Sequence, residues 1–200
     1  MDIQLVNINK SYDQIQVLRN LTITLAEGTI TCIMGASGSG KTTITNLLMG
    51  LTKPDSGEIT GIRGKRISAV FQEDRLIEHW DAVKNILLVC GRNVTEEMVK
   101  ENLLEVGLTG YENKPVSALS GGMRRRVAIV RAMLAEGNVI ILDEPFKGLD
   151  EDLKQQVIRY IKEKTIGRTV IVITHDRKDA SDLGAELYSL AAADLYQSKG

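Results

Sequence analysis

Gly35-Ala36-Ser37-Gly38-Ser39-Gly40-Lys41-Thr42 is the stretch on which the reading of this chain turns. It matches G-x-x-x-x-G-K-[ST] in full. The apolar run Ile30 to Met34 before it reads as a buried strand. Residues 41–50 after it read as a helix ended by Gly50 and Pro54. The order of strand, glycine loop and helix suits the holding of a polyphosphate. Glycines let backbone N–H groups turn toward an anion without Cβ interference. The helix points its positive end at the same place. Lys41 is expected to reach the β- and γ-phosphates, and the Thr42 hydroxyl to meet Mg²⁺. Thr43 continues the first helical turn and counts with residues 35–42 among the nucleotide contacts.

The 200 residues suffice for one domain with a full hydrophobic core. The 43% hydrophobic and 26% charged composition is that of a globular protein. A net charge of -1 gives no argument for nucleic acid or an anionic membrane surface as a partner. No run approaches the ~18 apolar residues of a membrane span, so any membrane role is expected to come through a partner. Met1-Asp2-Ile3-Gln4 lacks the basic-then-apolar pattern of a signal peptide. Cys32 and Cys90 lie far apart, without metal-ligand spacing, and read as reduced core thiols.

Apolar alternation marks strands at Ile3–Ile8 and Leu21–Leu25, with short strands around Ile59 and over Ile67–Phe71. Residues 81–90, 96–106, 121–136 and 151–164 read as helices. The third carries Met123, Val127, Val130 and Leu134 on one face, and the fourth Leu153, Val157 and Ile161. Val139–Leu142 and Thr169–Ile173 are short continuous apolar runs, as strands covered on both faces are. Glu186–Leu190 is a candidate edge strand. Strands at both ends around alternating helices predict an α/β protein with a mainly parallel central sheet and flanking helices.

Ile140-Ile141-Leu142-Asp143-Glu144 places two carboxylates just past a buried strand. In P-loop enzymes an acid there helps hold Mg²⁺, the part expected of Asp143. Glu144 is then placed to take a proton from water attacking the γ-phosphate. His175 ends the strand Thr169–Thr174, at the edge of an α/β sheet where ligands collect. His79 reads as structural or solvated.

Leu119-Ser120-Gly121-Gly122-Met123 resembles the signature motif of ABC (ATP-binding cassette) ATPases. It lies between a Walker A loop, residues 35–42, and an Ile-Leu-Asp-Glu-Pro Walker B strand, in the family's order. The resemblance covers residues 3 to 190. It implies a P-loop NTPase with an antiparallel β subdomain and an inserted helical subdomain. The core then takes residues 1–72 and 137–200 of a single domain, and the helical subdomain takes 73–136.

Further roles follow from the resemblance. Tyr12, in Lys-Ser-Tyr, matches the aromatic that stacks on adenine. Gln72 matches the Q-loop glutamine, which contacts Mg²⁺ and the attacking water. Gly148-Leu149-Asp150 matches the D-loop at a dimer interface. His175 matches the switch histidine that touches the γ-phosphate. Ser120, Gly121 and Gly122 would contact ATP held by the opposite subunit. Ser120 also suits the cap of the 121–136 helix, whose start favours an anion. The implied assembly is a head-to-tail homodimer with two ATP molecules sandwiched and Mg²⁺ as cofactor. Met123 stands where glutamine is most usual, and the D-loop reads Phe-Lys-Gly-Leu-Asp where Ser-Ala-Leu-Asp is commoner.

The family's commonest role is to power a membrane transporter. Gln72-Glu73-Asp74-Arg75-Leu76 followed by Trp80 is similar to importers of the nitrate, sulfonate, taurine and thiamine type. That implies a bacterial import ATPase, with permease subunits and an extracytoplasmic solute-binding protein as partners. Its place is then cytoplasmic, peripheral on the inner face of the membrane. Residues 73–90, including Leu76, Ile77 and Trp80, form the candidate permease-docking surface. They equally suit plain packing of the helical subdomain. The alternative is a soluble ABC-type ATPase serving DNA repair, chromosome structure or translation. Such relatives usually carry coiled-coil insertions or tandem cassettes, and neither is seen here. Arg124-Arg125-Arg126 is the only basic cluster and reads as a solvated helix face. A P-loop kinase or GTPase fits less well, because the signature is present and an Asn-Lys-x-Asp guanine reader is not.

Overall fold

The computed structural model describes residues 1–190. In chain order the elements begin with β1 (Ile3–Tyr12), β2 (Ile15–Leu25), β3 (Ile30–Met34), α1 (Lys41–Leu48) and β4 (Ser56–Thr60). There follow β5 (Ile67–Val70), α2 (Ala82–Leu87), α3 (Glu96–Glu105) and α4 (Gly121–Leu134). The described residues end with β6 (Val139–Asp143), α5 (Glu151–Lys164), β7 (Thr169–Thr174), α6 (Arg177–Leu183) and β8 (Glu186–Ser189). Two compact units result. Among the described residues, one is Met1–Lys65 with Gly167–Leu190, and the other is Arg66–Ile166.

In the first unit β1 pairs antiparallel with both β2 and β4. Ile3, Leu5, Ile8, Leu21, Ile23 and Leu25 are buried, the alternation expected of a sheet with one covered face. The strands run longer than the alternation alone suggests. Asn7, at φ 51°, sits in an irregular register between Leu5 and Ile8 and breaks the pattern. The Asn9 amide repairs the local hydrogen bonding by donating to Asn7 O, Asn20 Oδ1 and Ser56 Oγ. A parallel set follows, with β3 between β7 and β8. All six residues of β7 are buried, which accounts for its unbroken apolar run.

In the second unit β5 and β6 pair in parallel. Helix α4 packs against α2, α3, α5, β5 and β6. That position explains why it is buried over most of its circumference, from Arg125 to Val130 and at Ala132 and Met133. Tyr160 Oη donates to Asn102 Oδ1 at 2.9 Å and joins α5 to α3. Asn85, fully buried in α2, accepts from the Ile77 amide and donates to the carbonyls of Ile77, Trp80 and Asp81. One side chain thereby sets the course of the segment before the helix. Among the described residues no helix is long and apolar enough to cross a membrane.

Cys32 is fully buried on β3, and burial, with a smaller push from Asp179, raises its thiol to about 12. Cys90 is partly exposed, and burial followed by Glu136 raises it as well. In the native protein at pH 8, Ellman's reagent should therefore leave Cys32 untouched until guanidinium unfolds the chain. Two thiols titrating in the native state would contradict this packing.

Candidate nucleotide site

In the first unit, β3 delivers the chain into the loop at Gly35, and α1 begins at Lys41. The loop closes with Ser39 N donating to Ala36 O at 3.1 Å. Gly38 and Gly40 adopt φ of +79° and +85°. At Gly40 a Cβ would also lie 2.7 Å from Leu18 Cδ2, so both conformation and space demand glycine. Ala36, Ser37, Gly38 and Thr42 are exposed, whereas Ser39 and Thr43 are buried.

The helices α2, α3, α4, α5 and α6 each have a side-chain cap, from Asp81, Thr95, Ser120, Asp150 and Asp176. Helix α1 has none, and its N-cap is Gly40 in a left-handed conformation. Its first-turn N–H groups therefore lack the usual side-chain acceptor and favour an anion. Lys41 Nζ donates to Gly35 O at 2.7 Å and Ala36 O at 2.8 Å. An ammonium has three N–H donors, so one remains for a phosphate oxygen.

Tyr12 lies at the end of β1 with 43% of its surface exposed, and Lys10 Nζ stands 5.3 Å from its ring centroid. His175 is exposed just past β7. The turn that carries it is fixed on both sides. The buried Thr174 hydroxyl donates to Asp179, and Asp176 N donates to Thr174 Oγ1 at 3.1 Å.

In the second unit, β6 ends at the half-buried Asp143 and Glu144. Glu144 holds φ at 48°, a conformation uncommon outside glycine and frequent at functional positions. Gln72 is exposed, two residues after β5. Ser120 caps α4 by accepting from Met123 N at 3.3 Å. Gly121 is open, but a Cβ on Gly122 would lie 2.9 Å from Gly148 O. The signature glycine therefore packs against the turn that leads to Asp150, which caps α5 by accepting from Leu153 N at 2.9 Å. Thr42 offers a hydroxyl in the first unit, and Gln72 and Asp143 offer an amide and a carboxylate in the second, oxygen donors of the kinds that suit Mg²⁺.

The arginine run corrects the sequence reading. Arg125 and Arg126 are only 4% and 6% exposed, not a solvated face. Arg126 donates to the carbonyls of Val106 and Gly107, at 2.8 and 2.9 Å, and to Gly122 O at 3.3 Å. Arg125 turns to Phe71, Gln72, Asp74 and Asp143. One signal pointed this way. Arg126 falls three residues after Met123 and four before Val130, inside the apolar stripe of α4.

These features define a phosphate-binding loop at a strand-to-helix junction, accompanied by a signature helix and an acidic strand end. A family model described as "ABC transporter" matches residues 18–147, and the chain belongs to that family. The chain is 37% identical over 197 residues to the spermidine/putrescine import ATP-binding protein PotA of Spiroplasma citri. That match takes 90% of this chain and 56% of the relative. Its counterpart from Mycoplasma capricolum subsp. capricolum is 32% identical over 211 residues, 98% of this chain and 60% of the relative. The chain thus spans little more than half the length of these curated relatives. Among solved structures, the dimeric ATP-binding cassette MJ0796 in a post-hydrolysis state bound to ADP and Pi superimposes with a TM-score of 0.84. There the identity is 30%, with 98% of this chain and 97% of that one covered. The fold is accordingly that of an ABC cassette, a P-loop NTPase combining parallel and antiparallel sheets with helices.

The two signature glycines should respond differently to a methyl group. Gly122→Ala is expected to cost roughly 1–3 kcal/mol in urea unfolding, because the Gly148 carbonyl must give way. Gly121→Ala meets nothing within 4 Å and should cost much less.

Proposed function

We propose that this chain is the ATP-binding and ATP-hydrolysing subunit of an ABC importer. The observation that carries the reading is the uncapped start of α1 behind a loop with left-handed glycines. Among the described residues the other α-helices are capped by side chains, and the open start of α1 is a receptor for the β- and γ-phosphates. Residues 35–43 hold the phosphates, and Tyr12 offers its exposed ring to the adenine. Thr42, Gln72 and Asp143 would hold Mg²⁺, which would supply neutralisation of the phosphate charge.

Glu144 takes the proton from the attacking water, oriented by Gln72, and His175 contacts the γ-phosphate. Lys41 draws charge from the transferring phosphoryl group with its remaining N–H. Ser120, Gly121 and Gly122 bring the start of α4 to the γ-phosphate of ATP on a second copy of the chain, with Asp150 at the same interface. This is supported by the dimeric state of the solved relative named above.

Coupling to transport is supported by the PotA relatives, which are named as import subunits. The polyamine in their name makes that substrate class the first to test. The nitrate, sulfonate, taurine or thiamine likeness has no such support among them. Permease subunits and a solute-binding protein complete the proposed system, with this chain peripheral on the cytoplasmic face. Leu76, Ile77 and Trp80 are half-buried, and Leu88 and Val89 are 56% and 46% exposed. Together they suit a permease-docking surface within residues 73–90. Val89 and Phe71 also line a cavity of about 610 Å³.

Glu144→Gln should lower hydrolysis by about 100-fold or more while ATP still binds. With ATP that variant should elute as a dimer from size-exclusion chromatography. Unimpaired turnover would remove Glu144 from the base role. Lys41→Ala should abolish measurable binding of a fluorescent ATP analogue. Affinity purification from membranes should recover an integral membrane partner. Recovery of ribosomes or DNA in its place would overturn the transport reading.

A further inference from the structure

Residues 71–75 form no helix or strand. Their conformation must be fixed by something other than a backbone ladder. Two arginines of α4 supply it. Arg125 donates through Nη1 to Phe71 O, and through Nη2 to Gln72 O and Asp143 O, both at 3.2 Å. Its Nη1 also lies 3.0 Å from Asp74 Oδ1. Six residues further along, Arg131 donates to Asp74 O and Arg75 O, each at 2.8 Å. Arg75, held at φ 49°, stacks its own guanidinium over the Phe71 ring with Cζ 3.7 Å from the centroid.

We propose that Arg125 is a positioning residue for the hydrolysis site. It fixes Gln72 and Asp143 together, through their main-chain carbonyls, from the helix whose first residues are the signature glycines. The proposal rests on the reading of Gln72 and Asp143 as Mg²⁺-holding residues. The chemistry calls for arginine. A planar guanidinium carries five N–H donors and can serve three carbonyls and a carboxylate at once. A lysine ammonium has three donors on a point charge and cannot span the same set. The buried site offers no water to replace the lost bonds, because Arg125 is 4% exposed. Any rotation of α4 that moves Arg125 must therefore move the backbone of Gln72 and Asp143 with it.

The test uses Arg125→Lys and Arg125→Gln in the full chain, with far-UV circular dichroism to establish that each folds. Three readouts separate positioning from general stability. Affinity for a fluorescent ATP analogue in EDTA should stay within about threefold of the parent, since the loop at 35–42 is untouched. The Mg²⁺ concentration giving half-maximal ATP-dependent dimer, measured in the Glu144→Gln background, should rise about tenfold for Arg125→Gln and about threefold for Arg125→Lys. Hydrogen exchange in the nucleotide-free protein should quicken at least tenfold over residues 71–76. If Arg125→Gln does not fold, the lysine variant carries the test alone.

An unchanged Mg²⁺ midpoint in a folded variant overturns the proposal. So does an equal loss of nucleotide binding in EDTA. Gln72→Ala and Asp143→Ala in the same assay keep the two levels apart. If they leave the Mg²⁺ midpoint unmoved, the reading of those residues fails. If they shift it and the Arg125 variants do not, only the positioning role fails.

Discussion

The first turn of an α-helix leaves backbone N–H groups that the helix itself cannot satisfy. At α2, α3, α4, α5 and α6 an Asp, Thr or Ser side chain accepts one of them. At α1 the chain gives up that acceptor and places Gly40 there, in a left-handed conformation. The remainder of the first unit serves this arrangement. β3 is held between two parallel neighbours, so the loop at its end has a fixed origin. The buried Ile44, Leu47 and Leu48 fix the direction of the helix axis. A helix start left open in this way favours an anion because of what is missing from it as much as what is present.

The second unit is governed by a different constraint. A buried guanidinium must find acceptors for its donors, and α4 carries two of them in succession. Arg126 spends its donors on the end of α3 and on the carbonyl of Gly122 in its own first turn. Arg125 spends its donors on the segment after β5 and on the end of β6. The helix that presents Ser120 and the signature glycines is thus locked to its surroundings by hydrogen bonds as well as apolar contact. Burial opposes the charged state of Arg126, and Asp150 partly offsets this.

Much of this could be read from the residues alone, for a physical reason. The loop at 35–42, the acids at 143–144 and the glycines at 121–122 depend on residue type at fixed spacing, which a linear sequence displays. Apolar runs such as Val139–Leu142 and Thr169–Ile173 likewise advertise burial on both faces. What escaped depends on tertiary neighbours. The role of Arg125 is set by carbonyls some 18 to 54 residues away, and nothing local distinguishes it from a solvated arginine. Helix α6, with the polar sequence Arg-Lys-Asp-Ala-Ser-Asp-Leu, is too short to show a period. The outer parts of β1 and β2 were hidden because asparagines with positive φ interrupt the alternation.

The backbone at Glu144 has one more implication. An L-residue with a side chain longer than asparagine is held there at φ 48°, which costs of order 1–3 kcal/mol. Glycine would relieve that cost and leave no carboxylate. Selection for thermal robustness alone would therefore push this position away from glutamate. Glutamate at this position thus carries a conformational cost that keeps a carboxylate where the general base is proposed, and a stabilising glycine there would remove it.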